Sequence, residues 1–258
     1  MLYIDTSNIE EIKKFKELGV ISGCTINPKI LQSDNNKNIE QTILDATKIL
    51  GNLPIHVELT RTSEMDKHLV EEAIKYFELS NNVVIKIPMW GDGRGLRIAK
   101  QLKVIGIQTN ITCCMTMGQI VLAGLIRSDY ASLFYNRMVD YYHSEGLSKI
   151  EAYDITEQTI LDSQNYLLRN NLPTKIIVGS IRRQEDIISA LNNGANIVTV
   201  TPKILSKMIQ HPKTDETIVE FDNAWAKLTT PEKLYPIHNH LLTELCTEKC
   251  PNFRGKYT

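Results

Sequence analysis

Val83-Val84-Ile85-Lys86-Ile87-Pro88 reads as an apolar strand with a lysine in its middle. A lysine rarely lies within such a run unless its amine has a partner or a task. Taking an ammonium out of water disfavours its charged form, and a neutral amine can attack a carbonyl to form a Schiff base. The alternative is a lysine at a strand end whose amine snorkels to solvent past the turn at Pro88.

Outward from this strand, short apolar runs alternate with amphipathic helical patterns. The strand candidates are Leu2–Asp5, Val20–Ile26, Ile55–Leu59, Val83–Ile87, Gly106–Thr112, Tyr130–Phe134, Lys175–Ser180 and Asn196–Val200. Between them, segments such as Ile9–Leu18 and Met65–Phe77 carry apolar residues at spacings of three and four. Capping chemistry is predicted at Ser7, ahead of an acidic turn, and at Ser63, ahead of Glu64. Strand-helix alternation implies parallel strands joined by crossovers. Eight such units in about 200 residues predict an α/β chain forming a single closed (β/α)8 TIM barrel, ahead of an open doubly wound sheet. No Pro/Gly/Ser-rich linker breaks the pattern, so the barrel domain is expected over residues 1–228, closing with helices at Ile204–Ile209 and Thr217–Leu228. A helical C-terminal extension over 229–258 is too short for a second core and is expected to pack on the barrel or on a neighbouring subunit.

With 258 residues, 42% of them hydrophobic, the chain can bury a large core. A net charge of −1 with interspersed signs argues against a nucleic-acid partner or an anionic membrane surface. The start Met1-Leu2-Tyr3-Ile4-Asp5 runs directly into structure, and no apolar stretch approaches the roughly 20 residues that span a bilayer. A soluble cytoplasmic protein is expected. Five cysteines, including the adjacent Cys113-Cys114, suit a reducing compartment better than a disulfide framework. His238 and His240, followed by Cys246 and Cys250, match none of the common zinc spacings, so no metal is expected there. Gly91-Asp92-Gly93-Arg94-Gly95 lacks the Lys-Ser/Thr of a P-loop and the third glycine of a dinucleotide fingerprint, and reads as a flexible strand-to-helix loop.

In a barrel of this kind the working residues stand at the carboxyl ends of the strands. The polar residues there are Asp5, Asn27, Glu58, Lys86, Asn110 with Thr112, Ser132, and Ser180 with Arg182. Period two places Asn110 with Thr112, and His56 with Glu58, on shared faces. Any one polar residue at a strand end is ordinary. A buried lysine ringed by two carboxylates, a hydroxyl and two amides is a coherent Schiff-base site.

Five motifs also carry a family resemblance: Ile4-Asp5-Thr6, Thr25-Ile26-Asn27-Pro28, Val84-Ile85-Lys86-Ile87-Pro88, Thr109-Asn110-Ile111-Thr112 and His211-Pro212-Lys213-Thr214-Asp215. In order and spacing they resemble the signatures of transaldolases, and most of all the short subfamily that includes fructose-6-phosphate aldolase. The resemblance implies a class I Schiff-base enzyme. Such an enzyme moves a dihydroxyacetone unit between phosphorylated sugars with no metal or organic cofactor. It implies Lys86 as the Schiff-base lysine, Asp5 as the acid/base at the breaking bond, and Glu58 with Thr112 as holders of a water. Asn27 and Asn110 match amides that orient substrate and intermediate, Ser132 a substrate-contacting serine, and Arg137, Ser180 and Arg182 a phosphate clamp. For the two arginines the competing reading is a surface salt bridge. Phe134 stands where the aldolase type carries tyrosine and Glu58 where it carries glutamine; with Ser132, both resemble the transferase type. A free aldolase releasing dihydroxyacetone and a non-catalytic sugar-phosphate-binding barrel are the alternatives. The loop Met89–Gly95 and the run Cys113-Cys114-Met115 depart from the usual pattern and leave the donor ketose open. A homo-oligomer, dimer or decamer, is also implied.

Overall fold

The structure, a computed structural model, describes residues 1–36, 38–60 and 63–228. The strands are β1 (Leu2–Asp5), β2 (Cys24–Ile26), β3 (Ile55–Glu58), β4 (Val83–Pro88), β5 (Thr109–Cys114), β6 (Tyr130–Phe134), β7 (Lys175–Gly179) and β8 (Ile197–Val200). All eight are parallel and close in sequential order, with β1 paired to β8, which is the predicted (β/α)8 barrel. The helices between them are α1 (Ile9–Glu17), α2 (Pro28–Ser33), α3 (Ile39–Leu50), α4 (Asp66–Leu79), α5 (Arg94–Val104), α6 (Met117–Leu125), α7 (Tyr135–Ser144), α8 (Lys149–Arg169) and α9 (Gln184–Asn192), with α10 (Pro202–Ile209) after β8. The chain divides into two compact units, Met1–Met208 and Ile209–Thr258. The described part of the second holds α11 (Pro212–Leu228). The tail expected over 229–258, with His238, His240, Cys246 and Cys250, lies outside the described residues. No helix among the described residues is long and apolar enough to cross a membrane.

Alternation along each strand sorts side chains between two environments. Ile4, Val57, Ile85, Ile87, Ala131, Leu133, Val178 and Val198 face out and pack with Phe15, Ile43, Leu69 and Leu102 of the helices in the main core. Fully burying one such aliphatic side chain contributes roughly 1.5–3 kcal/mol. The alternate positions Tyr3, Val84, Tyr130, Ile177 and Ile197 form a second cluster inside the barrel. Lys86 follows Val84 at the next inward position.

Several boundaries differ from the sequence reading for identifiable reasons. β2 starts at Cys24 rather than Val20, and the chain enters it through Gly23, where a Cβ would lie 2.7 Å from the Tyr3 ring and 2.9 Å from the Pro54 carbonyl oxygen, so only glycine fits. β5 runs from Thr109 to Cys114 and shifts register against β6 between Ile111 and Cys114, a bulge with Cys113 in the left-handed region at φ 61°. Asn8, not Ser7, caps α1, its Oδ1 accepting from the Glu10 and Glu11 amides. Ser7 instead donates its amide (2.7 Å) and hydroxyl (2.9 Å) to Asp34 Oδ2. Ser63 does not cap α4, which begins after Met65 without a side-chain cap; its first residue, Asp66, supplies the negative charge a helix start favours and pairs with Arg94 at 2.9 Å. Gly95 has a packing reason: a Cβ there would sit 2.2 Å from the Pro88 carbonyl oxygen, so only glycine lets α5 approach the end of β4 so closely.

Candidate active site

Lateral register aligns Glu58 with Lys86 and Lys86 with Asn110 across β3, β4 and β5. Lys86 is 5% exposed, and its Nζ lies 3.2 Å from Glu58 Oε2. Both open onto a cavity of about 530 Å³ at the carboxyl ends of the strands. Asp5, Asn27, Phe134, Arg137, Ser180 and Arg182 line the same cavity, so eight of the eleven predicted site residues converge there. The remaining three, Asn110, Thr112 and Ser132, are buried rather than lining it.

Asp5 is half-buried at the cavity wall, and desolvation pushes its carboxyl above the ordinary range. The Lys86 charge and a 2.6 Å hydrogen bond from Thr25 Oγ1 oppose that rise. Thr25 Oγ1 is also 2.6 Å from Thr199 Oγ1. One hydroxyl hydrogen cannot serve two acceptors, so with Thr25 donating to Asp5 the Thr199 hydroxyl donates to Thr25. Raising the carboxyl makes it a better proton acceptor once ionised, which suits a group that takes and returns a proton.

Beneath Lys86 a polar chain crosses the barrel interior. Ser132 Oγ donates to Asn110 Oδ1 at 2.8 Å, and Asn110 Nδ2 lies 3.1 Å from His56 Nδ1. An amide nitrogen only donates, so His56 Nδ1 is the acceptor and its proton sits on Nε2. Desolvation, then the Lys86 charge, depresses the imidazolium well below the usual histidine value, and the ring is neutral. It packs against Tyr3 (5.4 Å) and edge-on to Tyr130 (4.6 Å). Asn110 is thus fixed in one orientation from both ends. The buried Thr112 hydroxyl makes no hydrogen bond within the described structure.

At the anion end, Arg137 lies over the Phe134 ring at 5.1 Å. Ser180 follows β7 in the left-handed region, φ 60°. Its carbonyl accepts from Asn136 Nδ2 at 2.8 Å, and Asp186 Oδ2 takes the amides of Arg182 and Arg183. The turn bearing Ser180 and Arg182 is therefore tied down from α7 and α9. Arg182 itself makes a two-pronged contact with Asp140. Among the described residues, two of the five non-glycine residues with positive φ, Cys113 and Ser180, line the cavity, where such strain tends to be retained.

The sequence reading did not single out Thr25, Thr199, Lys29, Cys113 or Asp140. Thr199 of β8 and Thr201 just after it line the cavity, and the alternation Thr199-Val200-Thr201 is the signal for them in the sequence. Cys113 stood out only through the unusual run Cys113-Cys114-Met115, and its bulge breaks the alternation that assigns faces. Burial and the Glu58 carboxylate push its thiol up.

Among known proteins, the family model described as Transaldolase/Fructose-6-phosphate aldolase matches residues 2–257. A probable transaldolase of Clostridioides difficile is 36% identical over 223 residues, covering 86% of this chain and 95% of that one. A probable transaldolase of Moorella thermoacetica is 34% identical over 227 residues, covering 88% and 98% respectively. Among solved structures, a mutant flavocytochrome b2 with benzoylformate superposes with a TM-score of 0.50 at 12% identity. That match spans 78% of this chain but only 56% of the other, and it speaks to the barrel fold alone. The family match covers nearly the whole sequence and the two bacterial relatives align over almost their full lengths, so the chain belongs to the transaldolase/fructose-6-phosphate aldolase family.

Proposed function

We propose that the protein is a transaldolase-like transferase carrying a dihydroxyacetone unit from a phosphorylated ketose to an aldose acceptor through an imine on Lys86. The observation that carries this reading is the 3.2 Å contact between Lys86 Nζ and Glu58 Oε2 at the wall of a cavity shared with Asp5. Attack of Nζ on the ketose carbonyl requires the amine to release a proton, and Glu58 is within reach to accept it. Loss of water from the carbinolamine leaves a protonated imine; Glu58 holds that water, with Thr112 as its partner by the family resemblance. Asp5 then takes the proton of the hydroxyl on the far carbon of the scissile bond. As the carbon–carbon bond breaks, an aldehyde leaves and the electron pair moves into the imine, giving an enamine. Addition of the enamine to an acceptor aldehyde reverses the sequence, with Asp5 returning the proton to the new alkoxide.

Phe134 favours transfer over free aldol cleavage. Its ring stacks under Arg137 and has no hydroxyl to help water protonate the enamine. Arg137, Ser180 and Arg182 form the site for the phosphate. The free thiols of Cys24, Cys113 and Cys114 fit a reducing, cytoplasmic setting. Borohydride trapping with a panel of phosphorylated ketoses, with and without acceptor aldehydes, tests the proposal. The expected result is covalent label on Lys86 and turnover that depends on acceptor. Turnover without acceptor points to an aldolase, and absence of label with every ketose points to a binding protein.

A further inference from the structure

Resting on the reading that Arg182 receives the substrate phosphate, we propose that Asp140 is an internal competitor for the phosphate site that sets the affinity threshold a ligand must clear. Its carboxylate occupies Arg182 in the free protein and is displaced by substrate, so it holds down the affinity of every anion that competes for Arg182. Arg182 Nη1 donates to Asp140 Oδ1 at 2.8 Å, and Nη2 donates to Oδ2. This fork-to-fork pairing is the geometry in which arginine grips carboxylate or phosphate. The two donors that would hold a phosphate are therefore already filled by a carboxylate.

The pair is built to be exchanged. Its side chains are 54% and 56% exposed, a setting in which an ion pair contributes no more than about 1 kcal/mol. Only the Arg182 side chain has to move, because its backbone amide is held by Asp186 and the preceding turn by Asn136. The hydrogen bond from Arg182, with the Lys149 charge behind it, holds the Asp140 carboxyl below the ordinary range, and Lys149 remains beside it once Arg182 has left. Arg137 stands one turn before Asp140 on α7 and lines the cavity with Arg182.

Charge decides which ligands profit. A monoanion replacing Asp140 on Arg182 exchanges one carboxylate-like contact for another and gains little. A phosphate dianion brings a second charge and a third oxygen, enough to engage Arg137 as well. Asp140 therefore subtracts the same amount from every anion's affinity and leaves the weakly binding monoanions below the useful range. It also keeps Arg182 from resting as an uncompensated cation at the mouth.

Asp140→Asn and Asp140→Ala test this in the intact protein, with Arg182→Gln alongside. The readouts are KM for a phosphorylated donor ketose and the inhibition constants of two probes at pH 8. Inorganic phosphate is the dianionic probe, and dimethyl phosphate is a monoanion at any pH. Both Asp140 variants are expected to lower KM and to tighten both probes by about two- to fivefold, the worth of one exposed pair. Dimethyl phosphate should move from undetectable or marginal inhibition to measurable inhibition. A KM that rises, or that stays unchanged with both probes unmoved, overturns the proposal: Asp140 would then position Arg182 or do nothing at the site. Arg182→Gln separates the two levels. If it leaves KM for the phosphorylated ketose unchanged, the clamp itself is wrong and this inference falls with it; if KM rises, the clamp stands and the Asp140 results alone decide.

Discussion

Two layers of the barrel interior, built two residues apart on the same strands, have opposite character. The lower layer holds Tyr3, His56, Val84, Tyr130, Ile177 and Ile197 in an aromatic and aliphatic packing. The upper layer puts Asp5, Glu58, Lys86, Ser132, Gly179 and Thr199 at the next inward positions. Gly179, above Ile177, has no side chain, and a Cβ there would already meet Thr199 at 3.3 Å. The lower layer fills space and the upper one leaves it open, so charge is tolerated only where the cavity begins. Function and stability should accordingly respond to substitution in opposite ways one step apart along a strand.

Strand β4 offers the largest contrast. Lys86→Met keeps the length of the side chain and removes the nucleophile, so turnover is expected to fall by roughly 10⁴-fold or more and borohydride labelling to vanish. Val84→Ala, the inward neighbour one layer down, is expected to retain most of the activity while losing about 2 kcal/mol of stability to the cavity it leaves. Steady-state kinetics beside chemical denaturation reads both. Comparable loss of activity in the two variants would show that the layers do not divide the work.

How far this division was legible in the sequence depends on the element. Lys86 was visible because a charge inside Val83–Pro88 violates the pattern around it, and its register partner Glu58 stood at the end of the preceding strand. The barrel followed from strand-helix alternation, which is a local signal repeated eight times. The bulge at Cys113 was invisible, since the pairing of β5 with β6 that forces it is non-local. Thr25 illustrates a subtler limit. It stands within the motif Thr25-Ile26-Asn27-Pro28, and nothing local says that its hydroxyl bridges Asp5 and Thr199, residues 20 and 174 positions away. The start of α1 shows a local signal misread: Ser7 and Asn8 are both good caps, and the choice is made by Asp34, which draws Ser7 away.

Asp5→Asn should separate activity from stability at a single upper-layer position. Removing the acid/base is expected to lower kcat by about 10²–10⁴-fold while Lys86 still traps ketose as an imine. Stability should move the other way. Burial raises the Asp5 carboxyl above its unfolded value, so the folded chain binds that proton more tightly. Its contribution to folding is then fully present below the unfolded value, near pH 4, and is lost as pH rises through the raised folded value. The asparagine variant does not ionise and should melt above the parent at pH 7.5, with the advantage shrinking as pH approaches 4. Thermal melts at the two pH values check this, and a variant less stable at pH 7.5 would break the assignment.

His56 is the polar exception in the lower layer, and its substitution measures how much the upper layer leans on it. His56→Leu leaves Asn110 Nδ2 buried without its acceptor, at a cost of about 1–3 kcal/mol. The freed amide can also rotate away from Ser132, so kcat should fall by less than about tenfold while imine labelling persists. His56→Gln restores an acceptor and should recover part of both losses. If leucine and glutamine behave alike, the ring acts through its packing against Tyr3 and Tyr130 rather than through Nδ1.

Thr25→Val should have the smallest effect and the most specific one. The substitution preserves shape and removes the 2.6 Å hydrogen bond that opposes the desolvation of Asp5. Without that donor the carboxyl rises further, and the form that accepts the substrate's hydroxyl proton is populated only at higher pH. A hydrogen bond of this kind contributes about 1 kcal/mol, so the acid limb of the kcat/KM profile should move up by less than about one pH unit. The rate on the alkaline plateau should change little, because Asp5 is fully ionised there in both proteins. Thr25→Ser, which keeps the donor, should leave the limb where it was. An unmoved limb in the valine variant would mean that the group titrating on the acid side is not Asp5, and Glu58, beside Lys86, would be the next to substitute.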